Sequence, residues 1–210
     1  MSAHPLGCIG PNAITRIAQA MRGHYGEAAT RALFGRAALA DALEHPPTTP
    51  VDEAQVRALH AALREALSAT EAQGIAREAG RLTAEYLLAR RIPKLAQTLL
   101  RHLPTGLAEH LLLKAVAKNA WTFAGSGVFS YRIGTPTIVE IQDNPVCRGI
   151  TTDGPGCAYH AATFEHLWRM LIDRGTQVVE TACCACGAET CRFEIRRPST
   201  LNGAQQINHD

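Results

Sequence analysis

Val128-Phe129-Ser130-Tyr131-Arg132-Ile133-Gly134-Thr135-Pro136-Thr137-Ile138-Val139-Glu140-Ile141 decides how this chain is read. Two runs rich in β-branched and aromatic residues flank a Gly-Thr-Pro turn. They predict a hairpin of strands Val128–Ile133 and Thr137–Ile141. Asp143–Pro155, with two prolines and two glycines, reads as a loop. Cys157–Arg174 then reads as an amphipathic helix, with Phe164, Leu167, Trp168 and Leu171 on one face. Gln177–Cys183 and Thr190–Arg196 read as two further strands. The order β-β-α-β-β predicts an α+β fold with an antiparallel sheet.

Upstream of the hairpin the period changes to that of helices. Pro11 suits a first turn, and Ile14, Ile17, Ala18, Met21 and Tyr25 follow at helical spacing. A second piece covers about Ala28–Leu43. The prolines of His45-Pro46-Pro47-Thr48-Thr49-Pro50 break the pattern. A long Ala-rich helix is expected from Asp52 to about Arg90, with Gly74 and Gly80 marking a kink or a close helix contact. Lys94–Leu103 and Gly106–Ala120 complete the helical half. Its small and apolar faces predict a homodimer formed through that half. The expected division is a helical region 1–91, a sheet domain 92–197 and a polar tail 198–210.

The 210 residues carry a formal charge of +2, which argues for no strong field toward nucleic acid or an anionic membrane. Met1–Ile17 lacks the basic start and apolar core of a secretory signal. No stretch reaches the roughly 18 apolar residues of a membrane span. The expectation is a cytoplasmic protein, with the periphery of the photosynthetic membrane open to it. Dinucleotide-fold, P-loop, H-E-x-x-H and G-x-S-x-G motifs are missing.

Seven cysteines in a reducing compartment point toward metal or redox chemistry. Cys157, Glu180, Cys183 and Cys191 form a set of three thiols and a carboxylate suited to tetrahedral zinc. Cys186 stands as an alternative to Glu180. A Cys183-x-x-Cys186 redox pair is a further reading. Cys8, Cys147 and Cys184 have no role in either. Trp121, Phe123, Phe129, Phe164 and Trp168 offer walls for a flat apolar ligand where the helical half meets the sheet. Arg132 or Arg169 could hold its carboxylates. His110, His160 and His166 lie on helices, and the last two are candidate axial ligands.

Ile92–Ile195 resembles the vinyl-4-reductase domain family. The mark is Glu180-x-x-Cys183, then Gly187, then Cys191-Arg192-Phe193. Nearly the whole chain is similar to the branch of that family concerned with bacteriochlorophyll synthesis. The similarity rests on Gly10-Pro11-Asn12-Ala13-Ile14, Arg91-Ile92-Pro93, Ala120–Gly127, Asn144-Pro145-Val146-Cys147 and Ala161–Glu165. The resemblance implies a fold like TRAPP-type subunits and a dimer. In similar domains of phenol-sensing activators, Cys, Glu-x-x-Cys and Cys hold zinc. Those positions fall here on Cys157, Glu180, Cys183 and Cys191. The resemblance also implies a tetrapyrrole ligand of divinyl protochlorophyllide or magnesium protoporphyrin type. Two roles follow: a carrier or accessory factor serving magnesium chelatase, the methyltransferase and the reductase, or the 8-vinyl (old 4-vinyl) reductase itself. The second would need a reducing cofactor, for which no motif is visible.

Overall fold

The computed structural model describes residues 7–198. The expected signal-free start therefore lies partly, and the expected tail almost wholly, outside the described residues. In chain order the elements are β1 (Cys8–Ile9), α1 (Asn12–Arg36), α2 (Asp41–Glu44), β2 (Val51–Asp52), α3 (Glu53–Ala66) and α4 (Ala69–Arg90). Then come α5 (Lys94–His102), α6 (Thr105–Lys118) and the single turn α7 (Trp121–Ala124). The sheet half contains β3 (Val128–Arg132), β4 (Thr137–Gln142), α8 (Ala158–Leu171), β5 (Gln177–Ala182) and β6 (Thr190–Arg196). The four strands pair antiparallel in the order β3-β4-β6-β5. This is the α+β fold with the expected β-β-α-β-β order.

Three features of the helical half depart from expectation. The segment Asp52–Arg90 is two helices, and the break falls at Leu67–Ser68 rather than at a glycine. Ser68 caps α4 in a reciprocal box with Glu71, and Asp52 caps α3 by accepting the Ala54 N–H. These two caps satisfy helix-start donors that a continuous helix would not expose. The first helix bends at Gly26, whose φ of 77° no β-carbon-bearing residue adopts readily. The short ribbon of β1 with β2 was not expected; it ties the chain start to the segment before α3.

Gly80 makes a close helix contact, but within the chain. A Cβ there would lie 2.2 Å from the Tyr159 carbonyl oxygen and 3.1 Å from the Ala162 Cβ. Helices α4 and α8 thus pack backbone to backbone, with Thr163 Oγ1 donating to the Gly80 carbonyl at 3.1 Å. The small face that suggested a dimer is used internally, so it gives a dimer no support.

Two apolar cores result. One gathers α1, α3 and the first half of α4 around Phe34, Leu59 and Leu63. The other gathers the sheet, α6 and α8 around Trp168, Phe193 and Leu113. Both α4 and α8 contribute to each core, which joins the halves.

Between the halves, Glu53 at the start of α3 accepts from the Ser126 N–H, the Ser126 hydroxyl and Arg148. Burial pushes its carboxyl pKa upward. The two Ser126 donors and the Arg148 guanidinium outweigh that, and the net shift is downward. A lowered folded-state pKa gives stability that is present above the ordinary glutamate range and is lost as pH falls through the folded value. We expect wild type to lose stability below about pH 4.5 more steeply than Glu53→Gln. Denaturant titrations at pH 3 to 7 check this; parallel profiles would contradict it.

Candidate metal centre and ligand surface

Four cysteine sulfurs converge where the loop after β4 meets the end of the sheet. Cys147, Cys157, Cys183 and Cys191 are buried, and their sulfurs all lie within 4.8 Å of one another. Cys191 Sγ is 3.3 Å from Cys147 Sγ and 3.4 Å from Cys157 Sγ. All four are free thiols.

Each sulfur is placed by a different local rule. Cys191 sits on β6 opposite Ile141 of β4. Cys183 follows β5, just after a bulge between Glu180 and Ala182 that re-aims the strand end. A 3-10 turn at Cys184–Cys186 and Gly187, at φ 86°, return the chain into β6. Cys157 is the N-cap residue of α8, and its carbonyl accepts from His160 and Ala161. Cys147 lies in a turn closed by Asn144, whose carbonyl accepts the N–H groups of Cys147 and Arg148.

The surroundings suit anionic sulfur. Gly156 N–H, Cys184 N–H and the Asn144 amide each donate to a cluster sulfur at 3.4 Å. Such donors offset the formal −2 that four thiolates and a divalent ion would leave. Hydrogen bonds from the neighbouring thiols, that of Cys147 foremost, hold Cys183 far below the ordinary thiol pKa, making it the thiolate of the group. Cys157 and Cys191 are correspondingly raised, chiefly through their hydrogen bonds with Cys147. A tetrahedral zinc places its sulfurs roughly 3.8 Å apart, from Zn–S distances of about 2.3 Å. The observed cluster fits one such ion.

Glu180 stands beside this group. Its Oε2 accepts the Cys157 N–H at 2.8 Å, while its buried Oε1 has no hydrogen-bond partner. Burial, then the charge of Cys183, pushes its carboxyl up to about 8. The structure therefore brings together three of the four expected ligands and sets Cys147 with them. Cys186 is exposed, with its sulfur 3.7 Å from the Thr152 hydroxyl. The 3-10 turn points it away from the four.

Residues without obvious chemistry hold the loop in place. Asn144 is fully buried, and its Oδ1 accepts the Val146 N–H at 3.1 Å. Arg64 on α3 donates to the carbonyls of Val146 and Gly156 at 3.2 and 2.7 Å, clamping both ends of the loop. Arg148 joins Asp143, Ser126 and Glu53. The Asn144-Pro145 pair was a turn signal next to a cysteine. Nothing in sequence spacing links Arg64 to a loop some 80 residues later.

The expected pigment walls also come together, but as packed interior. Phe123 meets Phe129 and Phe164 edge-on at 5.3 and 5.8 Å, and Phe164 meets Trp168 at 6.4 Å. Phe164 and Trp168 are buried, and Trp168 Nε1 donates to buried Glu109. His160 is buried, with Nδ1 near the Asn144 amide and Nε2 near the Phe123 carbonyl. Burial lowers its pKa to about 4, so it is a neutral core histidine with both nitrogens engaged. A ring entering here would have to displace these contacts. Trp121 is half-buried on α7, and His166 is half-buried on α8, its pKa lowered first by that burial. Arg132 is exposed at the end of β3. Arg169 is taken by the Thr176 carbonyl and Glu165, and His110 is exposed on α6.

A separate open groove of about 800 Å³ lies between α1 and α4. Arg16, Gln19, Leu82, Glu85, Tyr86, Ala89, Arg90 and Arg91 line it. The guanidinium carbons of Arg16 and Arg91 face the Tyr86 ring at 4.8 and 5.8 Å. Arg16 Nε is buried without a hydrogen-bond partner.

Residues 137–197, which include the four cysteines and most of the sheet, match the model of the vinyl-4-reductase domain. Over 188 residues the chain is 46% identical to the bacteriochlorophyll synthase 23 kDa chain of Cereibacter sphaeroides, covering 89% of each. The corresponding chain of Rhodobacter capsulatus is 36% identical over 187 residues, covering 89% of this chain and 86% of that one. The chain belongs to this family of vinyl-4-reductase-domain proteins. Among solved structures, the phenol-responsive sensory domain of the transcription activator PoxR is similar over 76% of this chain and 83% of that one, at 17% identity and a TM-score of 0.45. An H-NOX protein from S. oneidensis is similar over 90% and 98%, at 10% identity and a TM-score of 0.46. Among the described residues no helix is long and apolar enough to cross a membrane.

Proposed function

We propose that this chain takes part in bacteriochlorophyll synthesis by binding a tetrapyrrole intermediate as a carrier or accessory factor. In this reading Cys147, Cys157, Cys183 and Cys191 hold a zinc ion that staples the sheet domain. The names of its relatives supply the pathway. The observation that carries the binding role is the groove between α1 and α4. Its volume lies within the range of small-molecule sites. It pairs an apolar and aromatic side, Leu82, Tyr86 and Ala89, with three arginines against one glutamate. A tetrapyrrole is a flat apolar ring with carboxylate edges, and planar guanidinium groups pair with carboxylates in a fork. The orphaned Arg16 Nε is a donor such a carboxylate would satisfy.

Titrating protoporphyrin, its magnesium complex and divinyl protochlorophyllide against tryptophan fluorescence tests this. We expect micromolar binding that weakens at least tenfold in Arg16→Glu/Arg91→Glu. Absence of binding by wild type, or unchanged binding by the variant, would sink the proposal. Incubation with divinyl protochlorophyllide and NADPH separates the roles: a spectral shift with the vinyl group intact means carrier, and its reduction means the 8-vinyl reductase.

A further inference from the structure

We infer that the α5–α6 hairpin is a docking face for an anionic lipid surface. Leu95 and Leu99 lie one turn apart on α5 and are 86% and 56% exposed. Leu107 and Leu111 repeat that spacing on α6, at 48% and 38%. The two helices pack on each other across Pro104, so four solvent-facing leucines share one hairpin. The opposite side of each helix is already spent. Gln97 and Leu100 of α5, and Ala108, Leu112 and Leu113 of α6, are buried. Gln97 anchors α5 by donating to the Leu88 and Ile92 carbonyls. Exposed leucines in sequential turns of a firmly seated hairpin mark an interaction surface rather than scatter.

Charge identifies the occupant. Residues 94–118 contain Lys94, Arg101, Lys114 and Lys118 against a single acid, Glu109. Glu109 is fully buried, accepting from Trp168 and paired with Arg197, so it contributes no charge to the outer face. Lys114 and Lys118 continue the exposed face of Leu107 and Leu111 at helical spacing. Arg90 and Arg91 adjoin it at the end of α4. The chain's charge of +2 concealed this local concentration.

Leucines ringed by lysine and arginine are the composition of a helix that lies in a bilayer interface. A second copy of the chain would set like charges against like. A nucleic acid would find no Phe, Tyr or Trp within residues 94–118 on which to stack a base. This inference does not depend on what the α1–α4 groove binds.

Co-sedimentation with vesicles provides the test. Wild type is expected to pellet with phosphatidylcholine–phosphatidylglycerol vesicles at millimolar lipid, to stay in solution with phosphatidylcholine alone, and to dissociate as salt rises. Leu95→Glu/Leu99→Glu should bind at least tenfold more weakly with an unchanged melting curve. Lys114→Glu/Lys118→Glu should do the same and serves if the first variant misfolds. Wild type left in solution by the anionic vesicles overturns the inference, as does full binding by the folded variants. So does a dimer that Leu95→Glu/Leu99→Glu splits without any lipid binding, since the face would then join two copies.

Discussion

Cys147→Ser is expected to purify without stoichiometric metal and to lose at least about 4 kcal/mol of folding stability. The scale follows from structural zinc, whose binding contributes on the order of 10 kcal/mol to folding. Cys147 has a cluster sulfur 3.3 Å away and is almost fully buried. Serine there would leave a weaker, protonated donor among three thiols. Glu180→Gln should behave differently. Its Oε2 serves the Cys157 N–H, and a glutamine carbonyl can accept the same bond. That variant should keep one metal ion per chain and lose no more than about 1–2 kcal/mol. Metal analysis with denaturant melts of both variants decides. Full metal in Cys147→Ser with none in Glu180→Gln would assign the fourth position to the carboxylate.

Gly80→Ala should lower stability by about 3 kcal/mol, a melting temperature drop of roughly 6–12 °C for a chain of this size. The new Cβ meets a backbone carbonyl at 2.2 Å, not the flexible end of a side chain. Relief requires α4 and α8 to separate, and α8 carries Cys157 at its N-cap. Gly74→Ala is the control. It lies in the same helix with nothing within 4 Å of its Cβ. It should gain up to about 1 kcal/mol from helix propensity alone. Thermal melts showing equal shifts for the two would show that the close approach at Gly80 does not limit packing.

The sheet half was legible in the sequence because its signals are local. Strand alternation, the Gly-Thr-Pro turn and the Phe164–Trp168 face each declare themselves within a few residues. The helical half was read less well at its joints. The break at Ser68 depends on a serine hydroxyl and the Glu71 carboxylate, set inside a continuous apolar pattern, and glycines drew the expectation to the wrong place. Glycine at position 80 signalled contact, but a sequence cannot say whether the neighbour is α8 or a second chain. The cysteine cluster was three-quarters legible. Cys157, Cys183 and Cys191 sit at a helix start and a hairpin, where convergence follows from topology. Cys147 sits in a loop whose path is fixed by Asn144, Arg64 and Arg148, contacts between segments far apart in the chain. The aromatic residues were correctly gathered and read as walls; their edge-to-face packing around buried His160 makes them interior instead.

X-ray absorption at the zinc edge of the purified full chain tests the four-sulfur centre most directly. Four sulfur scatterers at about 2.3 Å, with no oxygen or nitrogen in the coordination sphere, are predicted. Three sulfurs with one oxygen at about 2.0–2.2 Å, or protein that takes up no zinc, would contradict it.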